Sequence, residues 1–170
     1  MESSARYRQP IPLPALALGL GGLLPFAFGA ALIFFGNGHF PGFAESLPLV
    51  TGQTQLAPLL LGAYGAVILS FLGGIRWGNL LERPAELDKW APLGLSVIPS
   101  LLAWVALLLS PPLMLSLLIA GFILQYMLDT NGVARGVLPA WFGTLRLLLT
   151  SIAVLCLIVG LFGTISLAAK

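Results

Sequence analysis

One cysteine and one histidine stand in a chain of 170 residues. A lone Cys156 excludes an internal disulfide and any cysteine-based metal cluster. Its setting, TSIAVLCLIVGLF, is that of a packing residue. A lone His39 excludes ligation of haem by two histidines. With Glu45 as the one carboxylate in the same stretch, it also falls short of a protein-only metal site. No Ser-His-Asp or Cys-His arrangement can be assembled across the bilayer, since the distribution of basic residues puts Asp129 on the side opposite His39. Charge is scarce as well: 8% of residues are Asp, Glu, Lys or Arg, where a soluble domain carries about 25%. So few charges do not cover a soluble surface, and the sequence predicts lipid as the solvent for most of this one. The net charge of +2 comes from scattered basic residues, without the clustered basic face that nucleic acid requires. No acid lies in the middle of an apolar run, which argues against proton-coupled transport. The GLGG at 19–22 follows no strand and lies inside an apolar run, so it is not a phosphate loop. No internal repeat is evident. These absences predict a protein that is not an enzyme and that calls for no metal and no cofactor.

What is abundant is apolar sequence, 58% of residues. A membrane-crossing helix needs about 20 mostly apolar residues. Five runs qualify: 13–35, 57–81, 91–110, 112–128 and 145–167. The expected architecture is an all-α integral membrane bundle of five transmembrane helices in a single domain over 1–170. The first run follows a short positive start, Arg6 and Arg8, but continues to Phe35. That is too long for a signal-peptide core, so it reads as a retained span. No long Arg- and Ser-rich, acid-free leader of the organellar kind is visible. Ser110-Pro111-Pro112 reads as a tight turn joining the third and fourth runs into a hairpin. Pro25 and Pro99 lie within runs and predict kinks.

Orientation follows from basic residues. With the N-terminus cytoplasmic, Arg6, Arg8, Arg76, Arg83, Lys89, Arg135 and Arg146 share that side, and only Lys170 lies opposite. Segment 36–56 has no Lys or Arg and suits translocation. Trp77, Trp90 and Trp141 fall at cytoplasmic ends, where an aromatic belt belongs. The C-terminus is then on the opposite side.

Two features stand out. Gly62, Ala66, Ser70, Gly74 and Gly78 place small residues at intervals of four in the second run. On a helix this is a stripe along which another backbone can come close. The stripe leads toward Arg76. The orientation brings Arg76 level with Asp129 and Arg146, with Gln125 and Tyr126 about one turn deeper than Asp129. Three readings stay open for each arginine: a stem that snorkels to the headgroups, a structural ion pair with Asp129, and a site for an anion such as a lipid phosphate. Asp129 itself, in LDTNG, also reads as simple turn chemistry closing the fourth helix. The mixed charges of LLERPAELDKW read as a solvated turn.

Four blocks, GGLLPF (21–26), ILSFLGGIRWG (68–78), YMLD (126–129) and LPAWFGTLRLLLT (138–150), resemble in the same order the domain-of-unknown-function 3429 family. The resemblance implies a small multipass protein of the bacterial or mitochondrial inner membrane. It implies no reaction and transfers no catalytic residue. Family members often carry His where this chain has Arg76, which implies that a polar group rather than a guanidinium is wanted there. The absence of an organellar leader favours the bacterial inner (plasma) membrane. The expectation is an accessory, assembly or interaction subunit, with the lipid bilayer, a membrane-protein partner or a second copy of the chain as its neighbours. The alternative is a carrier or binder of a lipid, a quinone or another amphipathic molecule at Arg76, Tyr126, Asp129 and Arg146.

Overall fold

The computed structural model describes residues 10–35, 56–83 and 87–168. Among these every regular element is a helix: α1 (Leu13–Gly21), α2 (Leu24–Phe34), α3 (Leu56–Leu81), α4 (Trp90–Leu107), α5 (Pro111–Ala134) and α6 (Ala140–Ala168). With α1 and α2 taken together, five helical stretches are long and apolar enough to cross a membrane. The shortest, α4, has 18 residues and rises about 27 Å, close to the about 30 Å of a hydrocarbon core. Segment 36–55, with His39 and Glu45, lies outside the described residues, as do Arg6, Arg8, Glu86 and Lys170.

Pro25 does more than bend the first span. The α-helix stops at Gly21, and α2 restarts at Leu24 with Pro25 in its first turn. Proline lacks an N–H and is best tolerated there, where that donor is spare. The break leaves carbonyls to satisfy. Tyr64 on α3 donates its hydroxyl hydrogen to the carbonyl of Gly22 at 2.8 Å. Its ring packs edge-on to Phe26 at 5.0 Å. Tyr64→Phe keeps the ring and removes the donor, so thermal unfolding in detergent should show a loss of about 0.5–1.5 kcal/mol. No change would mean that the Gly22 carbonyl finds another partner. Pro99, by contrast, lies inside α4, which continues through it.

α3 sits at the centre of the bundle, packing most extensively on α4 and also on α2 and α5. Leu61 and Leu69 of α3, Leu115 and Leu118 of α5 and Leu157 of α6 are wholly buried. Phe26 and Phe122 meet among them with ring centroids 5.7 Å apart. The outer surface is the reverse of a soluble one. Leu18, Val67, Phe71, Trp104 and Phe162 are each more than half exposed, an apolar coat that only lipid or other helices can cover.

The fourth and fifth spans are longer than their apolar runs. LDTNG is not a turn: α5 runs through it to Ala134. Asp129 has partners of its own along and across the bundle, and the Thr130 hydroxyl donates back to the carbonyls of Tyr126 and Met127. Neither side chain is free to nucleate a turn. The helix ends instead at Gly136, the one described residue at positive φ, 71°. The amide of Val137 donates to the carbonyl of Gly132 and that of Gly136 to Val133. This pair of bonds is a Schellman close, which favours glycine at its left-handed position. α6 then begins at Ala140, five residues before the apolar run suggests.

Candidate functional site

The C-terminal parts of α3 and α5 and the N-terminal part of α6 come together at one end of the bundle. There the carboxylate of Asp129 is a common acceptor. Arg146 donates Nε–H to Oδ2 at 2.8 Å, and Gln125, one turn away on the same helix, donates Nε2–H to Oδ1 at 3.0 Å. Arg76 brings Nη2 to 3.6 Å from Oδ1. Asp129, Arg146 and Gln125 are buried, and Arg76 is half-buried. Two guanidiniums and one carboxylate leave the row with an excess positive charge. In a low-dielectric interior an isolated charge is expensive, so pairing of this kind is required for the row to exist at all. The pairing is incomplete: Arg76 Nε, Arg146 Nη2, Gln125 Oε1 and Thr150 Oγ1 are buried and reach no partner among the described residues.

Two cavities flank the row. One, about 520 Å³, lies between the ends of α3 and α5, the start of α4 and the α5–α6 turn. Arg76 on α3, Arg83 two residues beyond the end of α3 and Arg135 at the C-cap of α5 line it, together with Asn79, Asn131 and Asp129. The other, about 490 Å³, lies between α1, α3 and α6, and is almost wholly apolar. Its polar lining is Arg146 and Thr150. Arg146 therefore belongs to one cavity and Arg76 and Asp129 to the other, so the single pocket expected from the sequence is two. Tyr126 lines neither and lies half-buried. Arg83, Arg135, Asn79 and Thr150 join the site without having been singled out. A signal for Thr150 was present: it lies four residues after Arg146, on the same face of one helix.

The small-residue stripe divides as well. A methyl group added at Gly62 would collide with the thioether of Met114, and Ala66 is buried. Gly74 and Gly78, however, have nothing within 4 Å of such a group, and both are exposed. A row at intervals of four gains about 40° per step on a helix of 3.6 residues per turn. By Gly74 it has left the core. The buried row steps instead through Gly62, Gly65, Leu69 and Gly73. At Gly73 the approach is to backbone: an added methyl group would lie 2.5 Å from the carbonyl oxygen of Ser96.

The family model described as "Protein of unknown function (DUF3429)" matches residues 11–162. The chain belongs to the DUF3429 family. Transmembrane protein 69 of Xenopus tropicalis is 38% identical over 153 residues, which cover 86% of this chain and 53% of that protein. Transmembrane protein 69 of Mus musculus is 33% identical over 162 residues, covering 94% of this chain and 60% of that protein. The chain thus spans between half and three fifths of the length of these relatives. No solved structure matches it. This DUF3429 chain is a multipass membrane protein, and the four blocks that carry the family resemblance meet in its fold. GGLLPF holds the break after α1, ILSFLGGIRWG holds Gly73 and Arg76, YMLD ends on Asp129, and LPAWFGTLRLLLT holds Arg146 and Thr150.

Proposed function

We propose that this protein binds, and does not chemically transform, an amphipathic molecule with an anionic headgroup, held in the cavity lined by Arg76, Arg83 and Arg135. The observation that carries this reading is the convergence of three arginines, from α3, the residues just after it and the end of α5, on one cavity of about 520 Å³ whose lining among the described residues has a single carboxylate, Asp129. Arginine matches a phosphate or carboxylate with several donors at once. Ile75, Leu80 and Leu95 on the walls suit the first carbons of an attached chain. The seven-to-one distribution of Lys and Arg supports a cytoplasmic-side setting for the basic end, in this reading in a bacterial inner membrane, where anionic headgroups are attracted to such clusters. Native mass spectrometry of the purified protein should retain phosphatidylglycerol over phosphatidylcholine. Replacing both Arg83 and Arg135 with alanine should remove that preference by about tenfold or more, since each contact to a charged group contributes about 1.5–3 kcal/mol. Equal retention of the two lipids, or an unchanged preference in the double variant, would sink the reading.

A second reading, a subunit that docks on another membrane protein or on its own copy, rests on the exposed and unencumbered Gly74 and Gly78 beside exposed Phe71. Small residues let a helix from outside approach closely. Crosslinking from a cysteine placed at Gly78 should then capture a stoichiometric neighbour, and a clean monomer counts against it.

A further inference from the structure

We infer that the apolar cavity between α1, α3 and α6 is a second, separate binding site, for a neutral, membrane-dissolved molecule that presents a carbonyl oxygen. Phe26, Phe71, Phe122 and Phe142 line the cavity, from α2, α3, α5 and α6. Leu18 on α1 and Phe71 on α3, both more than half exposed, mark its open side. Its volume, about 490 Å³, is within the range of small-molecule sites. An apolar space of this kind would need no polar group. This one has two, Arg146 and Thr150, at 5% and 7% exposure, and Arg146 Nη2 and Thr150 Oγ1 reach no partner among the described residues. A buried polar group without a hydrogen bond is costly, and two on adjacent turns of one helix face form a ready pair of donors.

The chemistry of those donors selects the ligand. A guanidinium donates and cannot accept, and the threonine hydroxyl can rotate to donate beside it. The complement is an oxygen with two free lone pairs. A carboxylate would supply one, but Arg146 is the guanidinium that Asp129 meets directly, at 2.8 Å, and the row's excess positive charge lies with Arg76, which lines the other cavity. An anion beside Arg146 would therefore lie nearer the Asp129 carboxylate than the uncompensated charge, in a low-dielectric setting. A neutral carbonyl accepts both donors without that repulsion, while the aromatic side chains receive a flat or chain-like apolar body. Quinones and fatty esters both present this chemistry, and the experiment separates them.

The full-length protein in detergent would be titrated by thermal shift and native mass spectrometry with four probes: a decyl-substituted benzoquinone, methyl oleate, sodium oleate and decylbenzene. The benzoquinone or methyl oleate should bind, and whichever binds more tightly names the source of the carbonyl. Decylbenzene and oleate should bind at least about tenfold more weakly. Thr150→Val, which preserves shape, should weaken the carbonyl probe by about three- to tenfold. Ala15→Phe, which fills the space from α1, should abolish binding without touching the polar row. The Arg83→Ala and Arg135→Ala double variant should leave carbonyl binding unchanged, which separates this site from the anionic one. Equal binding of decylbenzene, tighter binding of oleate than of its ester, or an unchanged affinity in Thr150→Val would each overturn the proposal.

Discussion

Asp129→Ala is expected to cost about 3–5 kcal/mol of stability, because it strands Arg146 in the bundle without its partner. Arg146 is 5% exposed and donates Nε–H to Asp129 at 2.8 Å. The loss falls on several groups at once: Gln125 loses its acceptor, and Arg76 loses the carboxylate at 3.6 Å. The natural measurement is reversible unfolding in mixed micelles, with the fraction of monodisperse protein as a second readout. Two companions make the cause visible. Asp129→Asn keeps the shape and one acceptor oxygen while removing the charge, so it should fall between the alanine variant and the unaltered chain. Replacing Asp129 and Arg146 together with leucine removes both the charge and its partner. That pair should recover much of the loss, since a buried ion pair exchanged for well-packed apolar groups is often neutral. If the alanine variant unfolds within about 1 kcal/mol of the unaltered chain, the row is solvated and the electrostatic account of this end of the bundle is wrong.

The second large effect concerns two neighbouring glycines. Gly73→Ala should destabilise the protein by about 1–3 kcal/mol, the range of overpacking in a tight core. The new methyl group would lie 2.5 Å from the Ser96 carbonyl oxygen and 3.4 Å from the ring carbons of Pro99. A flexible side chain could give way, but a backbone carbonyl on the helix most extensively packed against α3 moves only with that helix. Gly74→Ala meets nothing within 4 Å. It should leave stability unchanged or raise it by up to about 1 kcal/mol through helix propensity alone. Similar unfolding free energies for the two variants would show that α3 and α4 are not held at this close approach.

The contrast also shows where sequence reading stops. Five helices were legible because lipid imposes a single requirement, an apolar run of sufficient length, and each run meets it by itself. The level of Arg76, Asp129 and Arg146 was legible because alternating spans place their ends on two sides only. Rotation about each helix axis was not legible in the same way. The small-residue row from Gly62 to Gly78 reads as one stripe, yet its last two glycines are exposed while Gly73, outside the row, makes the close contact. A period of four and a period of 3.6 are indistinguishable over two turns and diverge over four. Helix ends failed for another reason. In LDTNG the same side chains that would close a turn find partners within the helix and across the bundle. The partition of the polar row between two cavities could not be read either, since it depends on the rotation of α6, one face of which turns both Arg146 and Thr150 to the apolar cavity, and of α3, which turns Arg76 to the other.

The break at Gly22 has a bearing on kinetics. α1 buries no residue, and its principal packing partner is α6, where Gly19 lies against Leu149. At the break it is joined to α2 through Gly22 and Leu23, whose amides donate back to Leu18 and Leu20, while Pro25 has no amide hydrogen to carry the ladder on. Such a segment can open by itself at a small fraction of the free energy that unfolds the whole bundle. Because Ala15, Leu18 and Gly19 form one wall of the apolar cavity, the traffic of molecules into it would be timed by the detachment of this half-span and would stay largely insensitive to substitutions that alter the stability of the core.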